Sequence, residues 1–498
     1  MIRSLLPSPS LRAWLVIGLA TGFAGCATNP VTGKSQLSLV SESQEIQMGK
    51  EAAQQTIQQI GVVDNPQVEA YVSQIGMKMA KASERPNLPW EFHVVNDASV
   101  NAFALPGGFI FVTRGLMTYI NDEAELATVV GHEIGHVTNR HTVQQISKAQ
   151  VAQLGLGIGS IVSSDIARFA GLLGQGLGLL FLKYSRTAEN EADLAGFRYA
   201  LNQNYDVREM ANVFKTLERV SQSSGGGKLP EWLATHPDPE NRIAKVEQRL
   251  DTLHKDLSNT TLNREQYLQH VQGLAFGEDP RQGFFEGTTF YHPQLRFQIT
   301  FPEGWKTQNG ADAVVAASPS QDAIMQLGLA GKASPQQAAQ QFLSQEGVKA
   351  GQGSNSSING LPAASSYFEA QTQQGVVQGL VAFVSYGGNT YGILGYTPQG
   401  KLQTYDATLR RAIGSFSELR NQAALSVKPA RVEVIKLTKE MTLQQFNAQY
   451  PSSISIEELA IINELEGPDS VIPAGRIVKR VVGGRGPQTQ RADSAKGM

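Results

Sequence analysis

The stretch His132-Glu133-Ile134-Gly135-His136 sets two histidines four residues apart with a glutamate beside the first. On an α-helix, at ~100° per residue, the two imidazoles fall within ~40° of one another, so both can reach a single metal ion. Glu133 lies just off that line. There it can take a proton from an attacking water without occupying a coordination position, which is the arrangement of a zinc hydrolase with a general base. The helix itself is expected, because Asp122 and Glu125 form a capping-box pair and Leu126, Val129, Val130, Ile134 and Val137 recur at helical spacing. Two histidines can also meet at this spacing on an ordinary buried helix, so a third ligand is needed.

Tyr184 to Asp193, YSRTAENEAD, offers one. Glu189 and Asp193 are one helical turn apart and share a face. Glu189 would complete a His₂Glu set for one zinc per chain, leaving the fourth place open as catalytic zinc requires. Asp193 would accept a hydrogen bond from the far nitrogen of a zinc histidine and fix its tautomer. Glu191 points elsewhere on that helix and reads as a solvated surface residue.

HExxH followed by SRxxExxxD, and preceded by Asn101-Ala102-Phe103-Ala104-Leu105-Pro106-Gly107-Gly108, resembles the membrane-associated and periplasmic metallopeptidases related to CAAX prenyl proteases, the HtpX and BepA group, of gluzincin type. The resemblance spans residues 30 to 250. It implies zinc ligands His132, His136 and Glu189, with Glu133 as catalytic base. It also implies that the NAFALPGG segment enters an edge strand, Phe109 to Val112, along which an extended substrate lies by strand addition. A plain hairpin turn at Pro106-Gly107-Gly108 is the other reading of the same residues. Thr235-His236-Pro237-Asp238-Pro239-Glu240-Asn241-Arg242-Ile243 matches a further family segment whose histidine approaches the metal. His236 is therefore either a regulatory fourth ligand that closes the site or a packing residue before the next helix. The resemblance implies an endopeptidase acting on misfolded or misassembled cell-envelope proteins. The alternative is a binding factor that assists outer-membrane protein assembly, with proteolysis secondary.

The first residues bear on where this happens. Arg3 and Arg12 precede an apolar run, Ala13 to Ala20, too short to span a bilayer and of the kind found in export signals. Phe23-Ala24-Gly25-Cys26 resembles a bacterial lipobox, which implies lipidation at Cys26. As Cys26 is the chain's single cysteine, no intramolecular disulfide can form even in an oxidising compartment. Ala27 in the next position implies the periplasmic face of the outer membrane. Lys and Arg number 42 against 44 Asp and Glu, a balance that argues against nucleic-acid binding.

A chain of 498 residues, 41% hydrophobic and 17% charged, is globular and long enough for about three domains. The expected layout is a signal peptide with lipobox at 1–26, a peptidase domain at 27–255, a linker at 256–284, an α/β domain at 285–425, a small domain at 430–483 and a disordered tail at 484–498. The peptidase domain should be α+β and mainly helical, of zincin type, with helices near 43–60 and 66–83 and a strand at Glu91 to Val95. Val151 to Leu182, apolar and glycine-loaded, reads as a helical hairpin flanking the active site or as a membrane-dipping element. Ser223-Ser224-Gly225-Gly226-Gly227 reads as a flexible loop.

In the second domain Leu295, Phe297, Ile299 and Phe301 alternate as a half-buried strand. Turn signals at Asn359-Gly360 and Gly387-Gly388-Asn389 separate further strands, among them Val381 to Tyr386 and Thr390 to Tyr396. Tyr405 to Leu419 reads as a helix, and His292 as a turn residue. The layout resembles the PsbP/Mog-type α/β domain. The third domain reads as strand, helix, helix, strand. Its second half, Ile461 to Leu465 and Val471 to Val478, resembles a LysM module of βααβ form, which implies peptidoglycan as a partner. Thr438 to Leu443 lacks that module's usual Gly-Asp pair, so a structural cap stands beside the glycan-binding reading.

Overall fold

The computed structural model describes residues 26–153, 183–223, 231–310, 313–372 and 375–484. The export-signal stretch before Cys26, most of the Val151 to Leu182 segment, most of the glycine loop at 223–227 and nearly all of the tail lie outside the described residues. The chain forms two compact units, one from residues 1–277 with 432–481 and one from 278–431 with 482–498. The protein is thus multidomain, helical in its N-terminal region and strand-rich later.

In the first unit the strands β1 (Cys26–Thr28) and β2 (Ser35–Leu37) pair antiparallel. Helices α1 (Glu42–Ile60) and α2 (Pro66–Ala80) follow, near the expected positions. Ser41 and Gln44 form a full capping box at the start of α1, while Asn65 caps α2 with Pro66 in its first turn. Strands β3 (Glu91–Val95), β4 (Ala102–Leu105) and β5 (Phe109–Thr113) make one sheet in the order β3-β5-β4.

Here the expectation for Phe109 to Val112 is corrected. That run is the central strand, parallel to β3 and antiparallel to β4, and the edge is Ala102–Leu105, from the NAFAL residues themselves. The cause is visible in the side chains: Phe109, Ile110, Phe111 and Val112 are all buried, as a strand covered on both faces must be. The turn at Pro106-Gly107-Gly108 is real as well. Gly107 has φ 80° and Gly108 φ 107°, and a Cβ on Gly107 would stand 2.7 Å from Ile46 Cα of α1.

Helices α3 (Arg114–Tyr119), α4 (Glu123–Thr138), α5 (His141–Gln153), α6 (Arg186–Asn202), α7 (Glu209–Ser223), α8 (Glu231–Thr235), α9 (Pro239–Asp251) and α10 (Arg264–Val271) complete this part. Helix α4 is buried along its whole length and packs against α6, α2, α7 and β4. Its approach to α6 depends on missing side chains. A Cβ on Gly196 would lie 2.6 Å from His132 N, and one on Gly135 would lie 2.8 Å from Ala192 O.

Residues 432–481 fold back onto the same unit. Strands Ala430–Lys436 and Ile477–Gly483 pair in a three-stranded sheet whose third strand is Ala275–Phe276, and helices Leu443–Gln449 and Ile456–Ile462 lie between them in sequence. The buried Lys479 Nζ donates to the carbonyls of Thr118, Tyr119 and Ile120 at 2.9, 3.3 and 2.8 Å, closing the C-terminal end of α3. Tyr119 OH donates to Glu458 at 2.8 Å, and Arg219 to the carbonyl of Leu465 at 2.6 Å.

The second unit holds a seven-stranded antiparallel sheet and a four-stranded one. Alternation sorts its core. Along Gly375–Tyr386, Leu380, Ala382 and Val384 face a cluster with Leu409 and Ile413 of helix Leu402–Gly414, whereas Val381 and Phe383 face Ala338 and Ala339 of helix Pro335–Leu343. Asn359 and Gly360, at φ 50° and 80°, and Gly387 and Gly388, at φ 58° and 80°, form the two-residue hairpin turns their sequence predicts. The helix expected at Tyr405 to Leu419 instead ends at Gly414, and Ser417–Glu418 pairs as a strand with Phe297 and Gln298. His292 ends a strand and its Nδ1 accepts from Leu295 N at 3.2 Å, a turn role.

Candidate metal centre

Asp122 starts the helix that carries the first motif. Its side chain accepts from Glu125 N at 2.9 Å, and the Glu125 carboxylate reaches back to Asn121 N, one residue earlier than a full capping box would place it. From this fixed start, His132 and His136 come round on one face, with their Nε2 atoms 3.0 Å apart. Ser185 caps α6 by accepting from Ala188 N at 3.2 Å, which puts Glu189 in the first turn, directly opposite. Glu189 Oε2 lies 3.6 Å from His132 Nε2 and Oε1 lies 3.6 Å from His136 Nε2.

His236 joins them from the segment before α9, with Nδ1 at 3.3 Å from His132 Nε2 and 3.1 Å from Glu189 Oε1. Asp238 in the left-handed region, φ 73°, and Pro239 in the first turn of α9 make the sharp bend that directs this histidine inward. Donor atoms of His132, His136, Glu189 and His236 all lie within 4.8 Å of one another. Four such donors, two of them imidazole Nε2 and one a carboxylate, fit the chemistry of zinc.

Glu133 is buried beside the cluster, and its Oε1 makes no hydrogen bond among the described residues. Burial, and then the charge of Glu189, push its carboxyl up to about 8. Burial likewise pushes Glu189 up to about 7 against the opposing charge of Arg242. The imidazole of His132 is drawn down to about 4 by burial and by Arg242, and burial also holds His136 and His236 well below their ordinary value. Neutral imidazoles are the form that ligates metal.

Asp193 Oδ1 lies 2.9 Å from His132 Nδ1, as the spacing predicts. Burial alone would raise this carboxyl. Arg242 and His132 overcome that and hold it well below the usual carboxylate range.

Arg242 escapes the sequence reading. Its guanidinium grips Asp193 through Nε at 2.9 Å and Nη2 at 2.6 Å, stands 3.2 Å from Glu189 Oε2, and lies between the rings of Phe214 and Trp232 at 4.2 and 4.5 Å. One signal could have found it: a carboxylate serving a buried histidine needs a cation, and Arg242 opens the helix after His236. His141 and Tyr184 were missed too. Tyr184 stacks on His136 at 3.9 Å with 27° between the rings. Glu191, read as a solvated surface residue, is partly exposed and its Oε2 pairs with His141 Nε2 at 3.1 Å.

The sequence pattern of peptidase family M48 matches residues 66–250, the stretch that holds every residue of this cluster. The beta-barrel assembly-enhancing protease of Escherichia coli (strain K12) is 31% identical over 255 residues, covering 49% of this chain and 52% of that protein. The chain thus spans about half the length of that relative. The mitochondrial metalloendopeptidase OMA1 of Schizosaccharomyces pombe is 32% identical over 263 residues, covering 50% of this chain and 75% of that protein. A solved structure of cyanobacterial PsbP from Synechocystis sp. PCC 6803 covers 27% of this chain and 94% of that chain, at 12% identity with a TM-score of 0.23. With three quarters of a relative matched by the region that builds the cluster, the chain belongs to peptidase family M48.

Proposed function

We propose that this chain is a zinc-dependent endopeptidase of the cell envelope that acts on misfolded or misassembled envelope proteins. The observation that carries the reading is the convergence of His132, His136 and Glu189 donor atoms beside the buried Glu133, whose Oε1 makes no hydrogen bond among the described residues and lies 3.8 Å from His236 Nε2. His132, His136 and Glu189 would hold one zinc. When bound, zinc supplies Lewis acidity that polarises the scissile carbonyl and favours deprotonation of water. Glu133, when ionised, takes the proton of the attacking water and returns it to the leaving amine. Asp193 holds the His132 ring through Nδ1, and Arg242 holds Asp193. Strand β4, which packs against α4, offers backbone groups along which an extended substrate pairs with little sequence selectivity.

The envelope setting is supported by the lipobox-like Cys26 and by the name of the Escherichia coli relative. We place the protein at the periplasmic face of the outer membrane, held by lipid on Cys26. Among the described residues no helix is long and apolar enough to cross a membrane. The LysM-like residues 430–483 act as a structural cap, a reading supported by the burial of Lys479 against α3. Sedimentation of the protein with peptidoglycan would favour the glycan-binding alternative.

Glu133→Gln decides the main reading. The purified variant should keep about one zinc per chain and lose casein cleavage by orders of magnitude, because a base that is not a ligand has been removed. A variant that still cleaves ends the assignment. If instead the variant rescues envelope defects of a deletion strain as well as wild type does, the assembly-factor reading takes over.

His236 is the proposed restraint on this site. With Nδ1 in reach of the other donors it fills a fourth position, and a closed zinc site is not hydrolytic. His236→Ala should therefore retain zinc and raise cleavage or self-cleavage. Lower activity with zinc intact would make His236 a substrate-positioning residue instead.

A further inference from the structure

The two histidines of the motif do not share the same support. His132 Nδ1 meets a carboxylate, Asp193, directly. At His136 Nδ1 the partner is a third imidazole: His141 Nδ1 stands 2.9 Å away, and His141 Nε2 stands 3.1 Å from Glu191 Oε2. We infer that His141 and Glu191 form a positioning arm for His136, a three-membered relay that fixes the ring and tautomer with which it faces the metal. This rests on the zinc reading above.

Proton placement supports the inference. His136 Nε2 points into the donor cluster, so as a ligand it presents a lone pair there and carries its proton on Nδ1. That N–H can then donate only to an acceptor, which makes His141 Nδ1 the bare nitrogen. His141 must in turn carry its proton on Nε2, where Glu191 accepts it. A single arrangement satisfies every atom in the row, with both rings neutral and Glu191 ionised.

The chain is bent specifically to build this row. On a continued helix a residue five positions after His136 would sit ~140° around the axis and face away from it. Helix α4 stops at Thr138, and Arg140 adopts a left-handed φ of 58°, so His141 swings back over His136. Arg140 is itself tied down: Nε donates to Glu45 at 2.9 Å and Nη2 to the carbonyl of Val40 at 3.0 Å. A non-glycine residue held in that region by two anchors indicates that the turn serves something. Tyr184 covers the face of the His136 ring and is fixed by a hydrogen bond of 2.9 Å with Thr142, next to His141.

The test measures metal affinity of the full chain by competition with a chromophoric chelator, together with the visible bands of the cobalt(II)-loaded protein. His141→Ala should weaken zinc binding by about 10–100-fold and shift the cobalt bands, while the unfolding midpoint of the metal-free protein stays near wild type. His141→Asn places an amide oxygen near the lost Nδ1 and should recover most of the affinity. Glu191→Leu, at a partly exposed helix position, gives a second route should His141→Ala not fold, and should weaken binding several-fold. Unchanged affinity and cobalt spectra in both His141→Ala and Glu191→Leu would overturn the arm while leaving the zinc site standing. A wild-type chain that binds no zinc would instead overturn the reading on which the arm depends.

Discussion

Glu133, Glu189 and Asp193 share one buried pocket, and three carboxylates out of water would ordinarily take up protons. Arg242 changes that balance for Asp193, through two hydrogen bonds at fixed fork geometry. Replacing it with methionine keeps bulk between Phe214 and Trp232 but leaves Asp193 without its charged partner. We expect Arg242→Met to cost about 3–5 kcal/mol in urea unfolding of the metal-free protein, and a loss under about 1 kcal/mol would show that Asp193 is stabilised otherwise. The clustering of His132 with His136, and of Glu189 with Asp193, was legible because each pair sits on one helix, where a fixed angle per residue turns spacing into proximity. Arg242 and His141 were not. Each depends on a chain reversal, at Asp238 and at Arg140, that no periodicity encodes.

Between elements, the pairing of α4 with α6 decides whether the two half-sites meet. Gly135 of one helix and Gly196 of the other remove the side chains that would hold the axes apart, so Glu189 reaches across to both histidines. Gly196→Val should push the helices apart, destabilise the unit by at least about 2 kcal/mol and weaken zinc binding more than tenfold. Intact zinc affinity in that variant would mean the helices tolerate a wider separation. Sequence reading did well where an element is specified locally, as at Asn359-Gly360 and Gly387-Gly388, whose turn chemistry sets the hairpins. It failed where a distant strand intervenes. Phe416 and Leu419 continue an apolar helical pattern past Gly414, yet they are buried beside Ser417–Glu418, which pairs with Phe297 and Gln298 more than a hundred residues earlier. Phe109 to Val112 was misplaced for another reason: β4 pairs along one side of it and β3 along the other, which makes it central.

For the molecule as a whole, the first unit is discontinuous. The sheet strand at Ala275–Phe276 and the end of α3 are both completed by residues from 432–481. Lys479→Met removes the donor that the carbonyls of Thr118 and Ile120 share, while Tyr119 O keeps Asn121 Nδ2 at 3.1 Å, and should cost at least about 2 kcal/mol. A chain ending at residue 431 should go further, becoming sensitive to added protease around residues 114–125 even though every proposed zinc ligand is present. Equal protease resistance in the two forms would show that the clamp is dispensable. Because a polypeptide is made from its N-terminus, this arrangement also fixes an order of events. The helices that carry the proposed zinc ligands emerge early, the intervening sheet next, and Lys479, which closes α3, after both. Synthesis interrupted between residues 242 and 479 therefore releases a chain that has every proposed site residue but lacks the amino group that closes α3.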